Sequence, residues 1–447
     1  MITILKVKLR QLIQDEKFKE ILQGSIYSFG AKIIASLIGI ITSIIGARYY
    51  GAEMLGMVAI LGTILSLASL FSVMGMSTSL LKLIPEYKSK HSLNESIAIY
   101  KQTLYLVFLF SLIVGVVLYL LSDVLANHIF HNNELTYFIS LAAIVLVFQS
   151  INSINIVLVR ALKKIKLYAF FELLPKLIYL ILLLILTFYY YNKYNLIYIS
   201  FSVIIILTII ISFYLLLHLK KYSDSISRKK LPTNKYILWL SFPMFLTGGL
   251  QVIIGQSDIV MIGLFRETSE LGVYSIVFSL AMITNFILSS INVMAAPKFS
   301  ELFHAKKIDE LKYVVQKSSK LMFWAMLPVL TVLMVFGKLI LNIYGESFIL
   351  GYTALILLII GQVINSISGS NGVLMNMCGY QNELRNIILV SAIINLILNY
   401  LLIPKYGIDG AAIASMISVL YWNTTSLIFI KKKFGFNTFY VPFIIIK

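Results

Sequence analysis

Long apolar runs, eighteen residues or more and separated by short stretches rich in Lys, Asn and Gly, recur along the whole chain. A run of that length spans the roughly 30 Å hydrocarbon core of a bilayer as one helix. Twelve such runs fall near 25–48, 55–84, 102–122, 135–159, 167–190, 196–218, 236–264, 271–297, 319–341, 348–377, 386–403 and 408–430. Inside hydrocarbon the backbone has no water to bind, so each run must satisfy its own N–H and C=O groups as a helix. The expected fold class is therefore an all-α polytopic membrane protein with 12 transmembrane helices. Only 13% of the residues are charged, about half the share in soluble domains. A single cysteine, Cys378, excludes a disulfide framework and any Cys-based metal site.

The distribution of charge sets the orientation. With an even number of spans both termini share one side, and 30 of the 37 Lys and Arg residues fall on that side. Five, Arg48, Lys193, Arg266, Lys338 and Lys405, fall on the other, and Lys32 and Lys176 lie within spans. By the positive-inside rule both termini are expected in the cytoplasm, with the chain multi-pass in the cell membrane. The net charge of +18 is then explained by orientation and by contact with anionic lipid headgroups, and no nucleic-acid partner is expected. Residues 1–24 read as a basic amphipathic lead-in, without the short apolar core and cleavage site of a signal peptide, and are expected to stay on the mature protein.

The chain also repeats itself. Residues 150–158, SINSINIVL, align without gaps on 366–374, SISGSNGVL. At the same offset of 216, Leu55-Gly56 falls on Leu271-Gly272 and Lys101 on Lys317. Six spans per repeat is an even number, so the halves enter the membrane in the same direction. Parallel repeats related by an axis along the membrane normal are a transporter arrangement, with substrate handled where the halves meet. The expected organisation is a cytoplasmic segment 1–24, a six-helix bundle 25–219, a cytoplasmic linker 220–235, a second six-helix bundle 236–431 and a cytoplasmic tail 432–447.

Several spans carry polar or small stripes. Ser25, Lys32, Gly39 and Gly46 recur every seven residues in the first, and Gly248, Gln251, Gly255 and Asp258 share a face of the seventh. The eighth adds Ser275, Ser279, Asn285, Ser289 and Asn292, and the fourth adds Gln149, Asn152 and Asn155. Small residues let membrane helices pack closely; amides on three of these four helices point instead to a wetted cavity. Charges discriminate better, because one at a helix centre costs about 2.5–3.5 kcal/mol on insertion scales unless it faces protein or water. Lys32 and Asp258 are the residues to which this applies. Lys176 has Glu172 one turn before it, the favourable order for a helical ion pair.

Signatures of several catalytic classes are missing. The sequence contains no G-x-x-x-x-G-K-[S/T], no H-E-x-x-H and no G-x-S-x-G. Its five histidines lie in loops or at span ends, and His128 and His131, which share a loop, lack a further ligand cluster. No catalytic residue, cofactor or metal is expected.

Three stretches resemble the polysaccharide-biosynthesis flippases, carriers of O-antigen and capsule repeat units within the multidrug/oligosaccharidyl-lipid/polysaccharide exporter superfamily. They are Gly24 to Gly56, with Ala-Arg-Tyr-x-Gly at Ala47 to Gly51; Gln256 to Ser275, with Asp258; and Asn395 to Ser418, the most specific of the three. The resemblance implies a V-shaped, MATE-like transporter whose first, second, seventh and eighth helices line a central cleft. It also implies an undecaprenyl-pyrophosphate-linked oligosaccharide as substrate, flipped to the outer leaflet by alternating access. On that reading Lys32 and, at the outer mouth, Arg48 attract the diphosphate, while Gln149, Asn152, Gln251 and Asn285 bind sugar hydroxyls. Asp258 couples a proton or sodium ion. Membrane lipids and the polymerase and glycosyltransferases of the same pathway are the expected partners. A cation-coupled multidrug exporter on the same scaffold, and an integral-membrane glycosyltransferase or polymerase, remain alternatives.

Overall fold

The computed structural model of the protein describes residues 16–90, 92–219 and 231–440, with side chains at 16–29, 89, 90, 247, 251 and 254 excepted. Most of the N-terminal lead-in, most of the linker 220–235 and the last seven residues thus lie outside the described residues. Everything regular in the described residues is helical. Helix α1 covers Glu16–Val73, α2 Met76–Lys90, α3 Leu93–Leu120, α4 Glu134–Ala161, α5 Ile165–Tyr189, α6 Asn195–Leu219 and α7 Asn234–Phe265. Then follow α8 Thr268–Ala281, α9 Thr284–His304, α10 Ile308–Tyr344, α11 Tyr352–Ser368, α12 Asn371–Met377 and α13 Gln381–Phe434. Nine described helical stretches are long and apolar enough to cross a membrane, or ten if the limbs Asn234–Leu250 and Gly255–Phe265 of α7 count as one broken span.

Glycines with positive φ divide the longest of these helices. Gly51 (φ 78°, ψ 176°) breaks α1, and Gly407 (φ 56°, ψ −136°) breaks α13, at dihedrals that only glycine adopts without strain. Three expected spans are also interrupted. The run 55–84 is divided at Met74 (φ 44°) and Gly75 (φ 74°), the run 348–377 at Gly369 (φ 76°), and the run 271–297 between Ala281 and Thr284. Hydropathy counts side chains and is blind to backbone dihedrals, so an apolar run reads straight through such a break.

The described chain forms two compact units, and neither is a contiguous stretch. The first takes its residues from Met1–Ser43, Ile64–His128 and Asn132–Gly249; the second from Ile44–Thr63, Ile129–His131 and Leu250–Lys447. Within these units 44–63 packs with the second and 234–249 with the first.

In the first unit α3 packs on α2 and α4, and α6 on α4 and α5. Ser92 opens α3 as a reciprocal cap, accepting from Glu95 N (3.3 Å) and donating to Glu95 Oε2 (2.8 Å). Lipid tails are as apolar as leucine, so burial alone does not hold membrane helices together, and polar links and close backbone approach matter more. Tyr100 donates to Asn155 Oδ1 (2.6 Å) and Asn155 Nδ2 to Ser212 (2.8 Å), joining α3, α4 and α6. The expected Glu172–Lys176 pair does not form. Glu172 instead accepts from the Tyr168 hydroxyl (2.5 Å), while its Oε2 is buried without a partner.

In the second unit α8 packs on α11 and α13, α10 on α9 and α11, and α12 on α9 and α13. The repeat is visible here directly. A Cβ at Gly56 would lie 1.9 Å from Thr268 O, and one at Gly272 1.8 Å from Ala52 O. Gly56 and Gly272 stand 216 residues apart, as do Ala52 and Thr268, so these are two copies of one contact exchanged between equivalent residues. Such reciprocity is the mark of a two-fold relation. Helix positions repeat as well: shifted by 216, α3 falls on α10, α4 on α11 and α12, and α5 and α6 on the two limbs of α13.

Candidate functional site

The second limb of α7 carries Asp258, which is 5% exposed. Its carboxylate accepts four hydrogen bonds from three other helical segments. Tyr274 of α8 and Ser415 of the second limb of α13 donate to Oδ2, each at 2.5 Å. Asn399 and Asn395, one turn apart on the first limb of α13, donate to Oδ1 at 2.8 and 3.3 Å. A second layer holds the amides: Ser257 donates to Asn395 Oδ1 (2.8 Å), as does Asn399 Nδ2 (3.1 Å). All these residues belong to the second unit.

Every donor to Asp258 is neutral, and among the described residues no Lys, Arg or His forms an ion pair with it. Burying an ionised carboxylate is costly unless it is paired or neutralised. Four hydrogen bonds offset part of that cost. The amides turn their Nδ2 groups to the carboxylate, and Asn395 Oδ1 is taken up by Ser257 and Asn399. Asn399 Oδ1 is buried without a partner, an acceptor with capacity to spare. Among the described residues no group of three or more His, Cys, Asp or Glu is placed to hold a metal ion.

Of the other residues singled out in the sequence, Lys32 is exposed on the first limb of α1, in the first unit, as are its neighbours Ile33 and Ile34. Arg48 belongs to the second unit, and two of its guanidinium donors are engaged. Nε donates to Ile343 O (2.7 Å) and an Nη to Asn342 O (2.8 Å), capping the C-terminus of α10, where a cation is favoured by the helix dipole. Gln149 and Asn152 are half-buried on α4 of the first unit, and Asn152 Oδ1 is a buried acceptor with no partner. Asn285 is exposed at the start of α9 and its amide donates only to Met282 Sδ (3.0 Å). The side chain of Gln251 lies outside the described residues. Gly39, Gly248 and Gly255 of the polar stripes are not packing glycines: a Cβ at each would meet nothing within 4 Å.

The sequence singles out Asp258 by its charge but does not pick out Tyr274, Asn395, Asn399, Ser415 or Ser257. A signal is present in Asn395 and Asn399, amides at i and i+4 on one face of an otherwise apolar span. The polar stripes read from the sequence cover the first, fourth, seventh and eighth spans and leave that face out.

Comparison with known proteins bears on this arrangement. A family model described as polysaccharide biosynthesis protein matches residues 47–350. Over 162 residues, 36% of this chain and 34% of the relative, the sequence is 25% identical to the "Probable low-salt glycan biosynthesis flippase Agl15" of Haloferax volcanii. Alignments to the curated relatives cover from 34% to 46% of those relatives' length. Among solved structures, the lipid II flippase MurJ in an inward closed conformation superposes with a TM-score of 0.75 at 15% identity, over 92% of this chain and 89% of that one. An inward-facing multidrug resistance MATE family transporter superposes at 0.73 and 14% identity, over 92% and 98%. At these identities the superpositions establish the fold.

Proposed function

Because the chain belongs to the polysaccharide biosynthesis protein family, we propose that it is a flippase for polyprenyl-pyrophosphate-linked oligosaccharides, carrying repeat units from the cytoplasmic to the outer leaflet for surface polysaccharide assembly. A sugar pyrophosphate cannot cross hydrocarbon unaided, since its charges and hydroxyls would lose their hydration. The protein must replace that water, while the prenyl tail stays in lipid. On this reading α1 and α13, broken by glycines, cross twice each and α7 crosses once, which brings the described residues to twelve crossings, proposed to form two parallel sets of six. On that count the excess of Lys and Arg puts both termini in the cytoplasm.

Transport proceeds by alternating access, with the halves 25–219 and 236–431 as the moving bodies. Lys32 meets the diphosphate, and Arg48 has donors left beyond the two that cap α10. Gln149, Asn152, Gln251 and Asn285 serve sugar hydroxyls. Asp258 couples the cycle to a proton or sodium ion. The single observation carrying that role is a buried carboxylate surrounded only by neutral donors: changing its charge state changes the free energy of the packing around it.

The test is restoration of surface glycan in a flippase-deficient host. The wild-type chain restores it; Asp258→Asn and Lys32→Ala abolish it while remaining in the membrane. Normal glycan from both variants rejects these assignments. The MATE-type fold is shared with multidrug exporters, so drug resistance conferred on a pump-deficient host, with no glycan restored, would favour that reading instead.

A further inference from the structure

A polar cavity opens in the second unit where α7 turns into α8. Its volume is about 780 Å³. Glu53 reaches it from α1, Phe130 and His131 from the segment before α4, and Phe265, Arg266 and Glu267 from the turn itself. Glu270, also lining it, is locked to Arg266 by two bonds, Nε to Oε2 at 2.9 Å and Nη to Oε1 at 2.8 Å. Gly407 backs directly onto that pair: a Cβ there would lie 2.8 Å from Glu270 Oε2 and 3.3 Å from Arg266 Nε. The break in α13 thus gives the ion pair its room, and the pair in turn forms a fixed wall of the cavity.

Thr268 and Ser269 add hydroxyls to the lining, and Ser269 donates to Glu267 Oε2 (3.3 Å). Glu53, Glu267 and His131 are all exposed, and His131 holds a φ of 50°, uncommon for a residue with a side chain. Phe265 is 38% exposed and meets Tyr400, itself 63% exposed, at 5.7 Å between ring centroids, which places an apolar aromatic pair beside the carboxylates. Carboxylates and a guanidinium bind adjacent hydroxyls through paired hydrogen bonds, and aromatic faces cover the C–H face of a pyranose. Three carboxylates against one arginine leave the cavity net negative, unfavourable for a diphosphate or a uronate. No described trio of His, Cys, Asp or Glu here is placed to hold a metal ion.

We propose that this cavity is a docking subsite for the sugar of the translocated lipid-linked glycan, selective for neutral or amino-bearing pyranoses over acidic ones. The inference rests on the flippase reading, whose orientation puts the α7–α8 turn at the outer face. There the cavity holds the glycan while its negative field turns the diphosphate away, favouring release into the outer leaflet.

Saturation-transfer NMR on the full-length protein in lipid nanodiscs, with methyl β-glucosaminide, methyl β-glucoside and methyl β-glucuronide as probes, tests it. Transfer to the first two and not to the third is expected. Glu53→Gln with Glu267→Gln should weaken glucosaminide binding about tenfold, the loss expected for a charge-assisted hydrogen bond, and admit glucuronide. Phe265→Ala should weaken the glucosaminide and the glucoside alike. No transfer to any probe, or the same pattern in the wild type and the double variant, overturns the proposal. Glycan restoration without transfer rejects the subsite and leaves the flippase standing; transfer without restoration rejects the flippase and leaves a sugar site.

Discussion

Replacing Gly272 by alanine puts a methyl group where the structure has backbone. The new Cβ would sit 1.8 Å from Ala52 O, 2.6 Å from Ala52 C and 3.0 Å from Gly56 N, whereas Cβ atoms essentially never come closer than 3.0 Å to another heavy atom. A carbonyl inside a helix cannot rotate away as a side chain can, so the two helices must separate by more than 1 Å. Overpacking of this kind costs about 1–3 kcal/mol. Gly56→Ala meets Thr268 O at 1.9 Å and should cost a similar amount. The double variant should cost less than the sum, because helices already parted by one methyl group admit the second. Gly39→Ala is the control: nothing lies within 4 Å of its Cβ, and a helix-interior Gly→Ala change gains about 0.5–1 kcal/mol. Thermal melting of the purified variants in one detergent reads all four. If Gly272→Ala melts at or above the wild-type temperature, the two helices do not approach closely at this glycine.

The C-terminal tail fills the break in the second half: Thr438 donates to Ser368 O and Asn371 Oδ1, Tyr440 N donates to Ile367 O (2.9 Å), and Gln316 donates to Asn437 O (3.2 Å). Thr438→Val should therefore cost about 1–3 kcal/mol in the same melt, since it strands a buried amide oxygen and a carbonyl; an unchanged melt would show that the tail is not holding the break. Arg48→Ala should lose about 1–2 kcal/mol by uncapping α10, with Arg48→Lys recovering part of it. A substrate-binding role alone would lower glycan output without moving the melting temperature.

How much was legible in the sequence depended on how local each signal was. The helices, and the equivalence of Gly56 and Gly272, could be read because they rest on apolar runs and a fixed offset. That the two glycines touch could not, since the contact joins residues more than 200 positions apart. Arg48 shows the same limit: a lone arginine at a span end reads as a free cation until Asn342 and Ile343 arrive from the far end of α10. Asp258 stood out by its cost in hydrocarbon, but three of its four donors come from α13, and only the spacing of Asn395 and Asn399 hinted at them.

The offset that relates the halves also shows where they differ. Counting back 216 residues from Asp258, Tyr274, Asn395, Asn399 and Ser415 gives Thr42, Val58, Tyr179, Leu183 and Ile199. Leu183 and Ile199 are fully buried, and Thr42 spends its hydroxyl on Gly39 O (2.9 Å). The charge-bearing cluster thus has no counterpart in the first half, where the same positions are mostly apolar. On the proposed coupling, a cation or proton that binds the cluster would bias only the half that carries it, which makes the coupling one-sided on a duplicated scaffold. Asn399→Leu tests this by importing the residue of the first half. It removes one donor to the carboxylate and the unpartnered Asn399 Oδ1 together while keeping a side chain of similar size. Loss of a hydrogen bond to a charged group is worth about 1.5–3 kcal/mol, about a 10- to 100-fold effect on an ion-dependent step. Surface glycan should fall accordingly, with the variant present in the membrane at wild-type abundance. Leu183→Asn, the reverse exchange, should lower the melting temperature by burying an unpartnered amide and should not relieve the Asn399→Leu defect. Wild-type glycan from Asn399→Leu would mean that the cluster holds the helices together and does nothing more.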